Sequence, residues 1–407
     1  MVQDQQNYLI YFNMKILSFG HIPSWSGGRQ ESGLANVIYQ LALNMADCKD
    51  VEMTLAATDV LVPKIIDGKL TIYGWRKGML IKYALKRPFK SLCWLINILV
   101  AKCKYGPAIS VPGYFFKGLH LARTIDIVKP RAVHLHGMVA CVYDKIVPSD
   151  VKIVVTMHGI IGDDQTIPMQ EHRYKMERDC CHSIRYSLMA FIAEKLIDDF
   201  KSCYSYIKAP SKAILNAYDS KAFNYIAHKD NGRLTLVTIA SFSENKGQAR
   251  VIEAIGKSGV DCKYICIGAS APDFEKQYKD KANRLGVDFE YVGKKSPVEI
   301  REILANANYM ILPSFTEGFG LVYLESIACG VPVILPKHLP IVQEKGIVQP
   351  NVNSLLLEDS SVESISKLLS ILKNYSFDSK RVAESIIGYS WENIAKEYTD
   401  SFKQLII

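Results

Sequence analysis

The 407 residues contain no Cys-x-x-Cys pair, no apolar run of membrane-spanning length and no glycine-rich dinucleotide fingerprint. The ten cysteines are irregularly spaced. Cys180 and Cys181 are adjacent, which suits neither an ordinary disulfide nor a zinc knuckle, even with His182 following. Free thiols in a reducing compartment are therefore expected. The stretch 91–101 is 11 residues long between Lys90 and Lys102, whereas a membrane span needs about 17–25. Residues 1–13 are polar and carry an acid, so no secretory signal is expected and they read as an extension ahead of Met14. No Gly-x-Gly-x-x-Gly follows either leading strand, which argues against a dinucleotide-dependent oxidoreductase.

What is present is globular. Hydrophobic residues make up 49% and charged residues 22%, which excludes a disordered or fibrous chain. The length suits two domains, each large enough to bury its own core. Strand and helix patterns alternate, the mark of parallel α/β sheets covered on both faces. Residues 15–19 read as a buried strand, followed by a loop over 20–33 rich in glycine and serine. Leu34, Val37, Ile38, Leu41, Ala42 and Met45 then recur at helical spacing. Short apolar runs at 132–135 and 152–156 each end near a histidine. A second series begins at Leu234, with further strands at 263–267, 289–292, 309–312 and 331–335. Pro297 sits where a helix starts, and a last helix is expected over 391–405. The polar interruption at 210–232 places the boundary, giving domains 14–215 and 216–388 and a closing helix 389–407.

The segment from Ser314 to Pro332 carries the most chemistry. Glu317 and Glu325 are separated by seven residues, and Gly318, Phe319 and Gly320 lie ahead of a helical run. Glu317 is expected in a strand-to-helix loop and Glu325 about two turns into the helix. The loop between them would offer backbone N–H groups at a helix N-terminus, suited to an anion. From spacing alone, a solvated glutamate beside a helix-dipole glutamate is an equally good reading.

The whole segment resembles the signature of retaining glycosyltransferases of family 4, in the GT-B superfamily: Glu-x7-Glu followed by Ala328-Cys-Gly330-Val-Pro332-Val333. The resemblance implies two tandem Rossmann-like domains with an inter-domain cleft and a C-terminal helix crossing back to the first. It implies that Glu317 contacts the donor sugar and Glu325 the nucleotide ribose, with 318–320 lining the donor site. Ser243-Glu-Asn-Lys246-Gly247 resembles the family's lysine-glycine loop, whose lysine neutralises the donor diphosphate. Ser241 stands where the family usually has an arginine, with Arg29 and Arg250 as candidate substitutes. His158, in Thr156-Met-His158, matches a histidine that faces the donor sugar. His136 matches a second strand-end histidine and is expected to shape the acceptor pocket. Gly28 and Gly33 belong to the loop that lets acceptor or phosphate approach the backbone. Asn216-Ala-Tyr-Asp219 with Phe223, and Ser390-Trp391-Glu392, match the family's junction and final-helix openings. No Asp-x-Asp occurs, so the metal-dependent glycosyltransferase fold bearing that motif is not expected.

The implied activity is retaining, metal-independent transfer from a nucleotide-sugar donor to a glycan or lipid-linked acceptor, in cell-surface polysaccharide synthesis, with no cofactor. The alternatives are a non-catalytic nucleotide-sugar-binding protein and a sugar-nucleotide epimerase on the same fold. Residues 64–131 hold fourteen Lys and Arg against Asp67 and Asp126, an excess of twelve, while the whole chain carries +8. With Trp75, Phe89, Trp94, Phe115 and Phe116 interleaved, this region suits an anionic membrane surface better than nucleic acid. Trp94 or Phe89 is the expected apolar anchor, and the expected location is the cytoplasm, at the inner face of its membrane.

Overall fold

The computed structural model describes residues 14–30, 32–162, 168–228, 232–344 and 346–406. The expected extension 1–13 lies outside them. The chain divides into two compact units. The first takes in the chain up to Ile192, Leu196–Ile214 and the residues from Ile394 on; the second takes in Ala193–Lys195 and Leu215–Asn393.

In the first unit the described residues form an eight-stranded sheet of order β3-β4-β2-β1-β5-β6-β7-β8. Its strands are β1 (Met14–Gly20), β2 (Val51–Ala57), β3 (Lys64–Asp67), β4 (Leu70–Tyr73), β5 (Ala132–His136), β6 (Lys152–Met157), β7 (Leu188–Phe191) and β8 (Ser211–Ala213). All neighbours are parallel except the edge hairpin β3–β4. The central strands are continuous apolar runs because both faces of a parallel sheet are covered; β5 is buried along its whole length. Helix α1 (Gly33–Asp47) starts where the Ser32 hydroxyl accepts the Ala35 N–H at 3.2 Å. Val37, Ile38, Leu41, Ala42 and Met45 form its buried face, whereas Leu34, counted with that face from the sequence, is exposed in the first turn.

Three helices follow the hairpin: α2 (Lys77–Lys86), α3 (Pro88–Tyr105) and α4 (Val111–Val128). Trp94 is not the surface anchor that its sequence neighbourhood suggested. It is only 5% exposed, its indole N–H donates to the Phe115 carbonyl at 3.1 Å, and Gly118 opens the space for its ring. Phe89, by contrast, is 84% exposed. Among the described residues no helix is long and apolar enough to cross a membrane.

In the second unit the described residues form a six-stranded parallel sheet of order β11-β10-β9-β12-β13-β14. The strands are β9 (Leu234–Ile239), β10 (Cys262–Ile267), β11 (Asp288–Tyr291), β12 (Tyr309–Ile311), β13 (Val333–Pro336) and β14 (Ser354–Leu357). Helix α5 (Gln248–Ser258) buries Val251, Ile252 and Ile255 against Tyr264, Ile311 and Ile334 in one core. Pro297 does open a helix, Pro297–Leu304, and Ser296 with Glu299 closes a reciprocal capping box ahead of it. Helix α6 (Leu321–Ala328) follows β12, and α7 (Trp391–Ile406) ends the chain. Within the first unit the Tyr398 hydroxyl of α7 lies 3.0 Å from the Thr156 hydroxyl, beside buried Phe402.

Both sheets reverse strand order at one point: between β1 and β5 in the first, between β9 and β12 in the second. In open parallel sheets the loops leaving such a pair diverge to opposite faces and open a crevice at the carboxyl ends. Lys246 and Glu317 stand in the loops after β9 and β12, and His136 ends β5, with His158 just after the neighbouring β6.

Candidate functional site

In the second unit, two loops leave the switch-point strands side by side. One runs from Ala240 to Gly247 after β9, the other from Leu312 to Gly320 after β12. They are stitched by Asn245. Its side chain donates to the Thr316 carbonyl at 3.1 Å and accepts the Thr316 N–H at 3.0 Å, while its carbonyl accepts the Phe315 N–H at 2.9 Å. Gly247 adopts φ +83, which turns the first loop directly into α5. This fixes Lys246 against the second loop. Its Nζ lies 2.5 Å from Glu317 Oε1, and the Ser314 hydroxyl donates to the same oxygen at 2.8 Å. The pair is partly shielded, with the glutamate side chain 11% exposed.

Gly320 holds φ +86 at the entry to α6, and a Cβ there would strike the Tyr323 ring at 2.5 Å. Phe319 is buried beside it and Gly318 is exposed. The helix begins at Leu321, so Glu325 is its fifth residue, a little over one turn in rather than two. Glu325 is partly buried, and burial, reinforced by the negative charge of Asp219, pushes its carboxyl up to about 7. Ser241 is exposed at the start of the first loop, and its carbonyl accepts from the buried Gln248 side chain at 3.1 Å.

Arg250 does not stand in for the arginine replaced by Ser241. Its guanidinium donates to the carbonyls of Glu244 and Pro313 at 2.7 and 2.8 Å and lies 3.8 Å from the Phe315 ring centre. It clamps the two loops together. Arg29 is in the other unit, with its backbone N–H bound to Asp59. Sequence reasoning also missed Gly268, at the end of β10. It has φ +144, and a Cβ there would stand 2.1 Å from the Ala240 carbonyl oxygen. A glycine directly after an apolar strand is the signal that marks such an approach.

In the first unit the switch point holds a row of imidazoles. The Ser18 hydroxyl of β1 is 3.1 Å from His136 Nε2, and His136 Nδ1 is 3.1 Å from His158 Nε2. Behind them, His134 Nε2 is 2.7 Å from the Thr156 hydroxyl. Burial keeps the rings neutral: it holds His158 down at about 4 and His134 at about 3, and lowers His136 strongly. His158 is the partly exposed end of the row. The loop after β1 is held by Asp59, which accepts the N–H groups of Ile22 and Arg29 at 3.2 and 2.9 Å. Gly28 is obligatory there, since a Cβ would meet the Ile22 carbonyl at 2.0 Å, while Gly33 faces open space at the first position of α1.

None of the ten cysteines is in a disulfide. His182 stacks on Tyr206 and bonds the Tyr204 carbonyl.

The second unit has recognisable relatives. Residues 221–385 match the family "Glycosyl transferases group 1". The chain is similar to the phosphatidylinositol N-acetylglucosaminyltransferase GPI3 subunit of Saccharomyces cerevisiae, 22% identical over 187 residues, 42% of this chain and 39% of that one. It is also similar to N-acetyl-alpha-D-glucosaminyl L-malate synthase of Bacillus anthracis, 27% identical over 221 residues, 52% and 56% of the two chains. The matches thus span about half, or less, of those relatives' length. Among solved structures, sucrose-phosphate synthase of Thermosynechococcus elongatus superposes with a TM-score of 0.70 at 15% identity, over 96% of this chain and 99% of that one. Anabaena HepE, in complex with UDP and glucose, gives 0.67 at 13% identity, over 96% and 100%. These likenesses show the fold: two Rossmann-like units as in GT-B glycosyltransferases. The crevice loops and the paired Lys246 and Glu317 lie inside the region matched by that family.

Proposed function

We propose that the protein transfers a sugar, with retention of configuration and without a metal ion, from a nucleotide-sugar donor to a glycan or lipid-linked acceptor in cell-surface polysaccharide synthesis. The observation that carries this is the Lys246–Glu317 pair at the switch point of the second sheet. In such a transfer the bond between the anomeric carbon and the diphosphate breaks. The sugar passes through an oxocarbenium-like state, charge builds on the leaving oxygen, and the acceptor hydroxyl bonds to the anomeric carbon from the same face as its proton passes to the departing diphosphate. Lys246 is placed to meet that charge, and backbone N–H groups at the start of α6 add to it. Glu317, held by Ser314, accepts sugar hydroxyls and favours the developing positive centre. Glu325, further along α6, accepts the ribose hydroxyls of the nucleotide. Neutral His158 is assigned to orient the transferring sugar, and Gly28, Gly33 and His136 to shape the acceptor side. The HepE structure that this fold resembles was solved with UDP and glucose, which supports a nucleotide-sugar donor here.

Ser241 favours a second reading, binding without turnover, because the N–H groups of Arg250 are turned to the carbonyls of Glu244 and Pro313. One experiment separates the two. Nucleotide sugars are screened for thermal stabilisation, and the stabilising ones are assayed for nucleoside diphosphate release with and without polysaccharide or lipid-linked acceptors. A ligand at 100 times its Kd adds about 2.7 kcal/mol of stability. Stabilisation with acceptor-dependent release is the expected result. Stabilisation with no release supports the binding protein, and no stabilisation by any nucleotide sugar rejects both.

A further inference from the structure

Helix α3 is apolar on both sides. Ser91, Trp94, Ile98, Ala101 and Tyr105 face inward and are buried. On the opposite side Phe89, Leu92, Ile96, Leu99 and Val100 recur at i, i+3, i+7, i+10 and i+11, and all are exposed. Ile81 and Leu85 of α2, one turn apart, extend the exposed apolar surface, with Leu85 76% exposed. Water-soluble monomers rarely leave so continuous an apolar face uncovered, and a helix apolar all round needs a second apolar medium. The charge around this face has one sign. Residues 77–105 contain seven Lys and Arg and no Asp or Glu. Lys82, Lys86 and Lys102 are exposed beside the apolar side chains. Two carboxylates lie beside these helices: Asp126 is met by Arg87 and Lys90 at 3.8 and 3.4 Å and by the Tyr83 hydroxyl at 2.8 Å, and Asp179 by Lys104 at 2.5 Å and by the Tyr105 hydroxyl at 2.6 Å. From Phe89 the apolar surface continues into an open cavity of about 500 Å³ walled by Trp94, Leu119, Ile125 and Val147.

We propose that the outer face of α2 and α3 docks in the plane of an anionic lipid bilayer, with Phe89, Leu92 and Ile96 entering the acyl boundary and Lys82, Lys86 and Lys102 meeting the headgroups. A protein partner would need an acidic surface carrying an apolar stripe of the same length. A bilayer of anionic lipid supplies both properties over any area, and such helices lie at the interface rather than crossing it. The cavity beside Phe89 gives room for the end of an acyl chain. The proposal is independent of the transfer reaction, because its readout is lipid binding.

The test is co-sedimentation of the full chain with vesicles of phosphatidylglycerol and phosphatidylcholine, against phosphatidylcholine alone, at low and high salt. Two variants are compared: Lys82→Gln/Lys86→Gln/Lys102→Gln and Phe89→Ser/Leu92→Ser/Ile96→Ser. Circular dichroism melting establishes that each is folded. Wild type is expected to pellet with the anionic vesicles at low salt and to be released as salt rises, since screening acts within about 8 Å at physiological strength. The lysine variant should bind roughly tenfold or more weakly. The serine variant should lose the fraction that persists at high salt. Wild type remaining in the supernatant with anionic vesicles at low salt overturns the proposal. So does equal pelleting of wild type and both folded variants. A dimer seen by light scattering, lost in the serine variant and unaccompanied by vesicle binding, also overturns it and makes the face a contact between copies of the chain.

Discussion

Lys246 and Glu317 were assigned separate partners from the sequence, one the diphosphate and the other the sugar; the structure pairs them with each other at 2.5 Å. On the proposed reading, a donor diphosphate competes with the carboxylate for the N–H groups of the lysine. Glu317→Gln removes that competition, so it should hold or raise nucleoside diphosphate affinity while depressing turnover. Lys246→Ala should lose both, with turnover down by several hundred-fold, about 3–4 kcal/mol of transition-state stabilisation. Calorimetric binding and initial rates check the pair; equal diphosphate affinity in the two variants contradicts it. Glu325 adds a pH signature. Its carboxyl is pushed up to about 7, so below that pH it is protonated and a weaker acceptor for ribose hydroxyls. Nucleoside diphosphate affinity should rise from pH 6 to 8 in wild type. Glu325→Gln should bind more weakly and keep only the pH response of the diphosphate itself. Parallel profiles for the two proteins would remove the ribose assignment.

Turns between elements, more than the elements themselves, shape the crevice. The two loops of the second unit are held by Asn245, Arg250 and the Lys246–Glu317 pair, whose contacts join segments 63 to 71 residues apart in the chain. Gly268 supports them from below: its hydrogen atom faces the Ala240 carbonyl where a methyl group would collide. Gly268→Ala should push the start of the Ser241 loop out of register and strain a left-handed backbone position. A loss of about 2 kcal/mol or more in urea unfolding is expected, together with weakened nucleotide binding. Ala at Gly33, which faces open space at a normal helical φ, should leave stability within about 0.5 kcal/mol. Similar unfolding midpoints for the two alanine variants would refute the close-approach argument.

Across the whole molecule, the residues assigned to the nucleotide all lie in the second unit, and the imidazole row lies in the first. Hydrogen exchange with saturating nucleoside diphosphate should therefore slow chiefly in 240–247 and 314–328, leaving 132–158 unchanged; protection spread evenly over both units would argue against this division. Much of that plan was legible in the chain itself. The alternation of short apolar runs with helical periodicity announces parallel sheets, because a strand buried on both faces has no polar alternation to hide it. The strands at 132–136, 152–157, 234–239 and 262–267 fall within a residue or two of where their apolar runs lie. Lys246, Glu317 and Glu325 were findable because they sit in a dense local pattern of glycines and charges. The edge hairpin β3–β4 and strands β2, β7, β8 and β14 were not foreseen; all but β2 are only three or four residues long, too short for a period to show, and gain their backbone partners only from neighbouring strands. The side of a helix that faces water was equally hidden where both sides are apolar: periodicity cannot tell Trp94 from Phe89, and only the packing of α3 against α4 buries one and exposes the other. Local sequence determined which segments are strands, helices and glycine turns, because those depend on neighbours in the chain. Tertiary structure decided that Lys246 meets Glu317, that Arg250 clamps two loops together, and that His136 links Ser18 to His158, because each depends on segments brought together only when the sheets form.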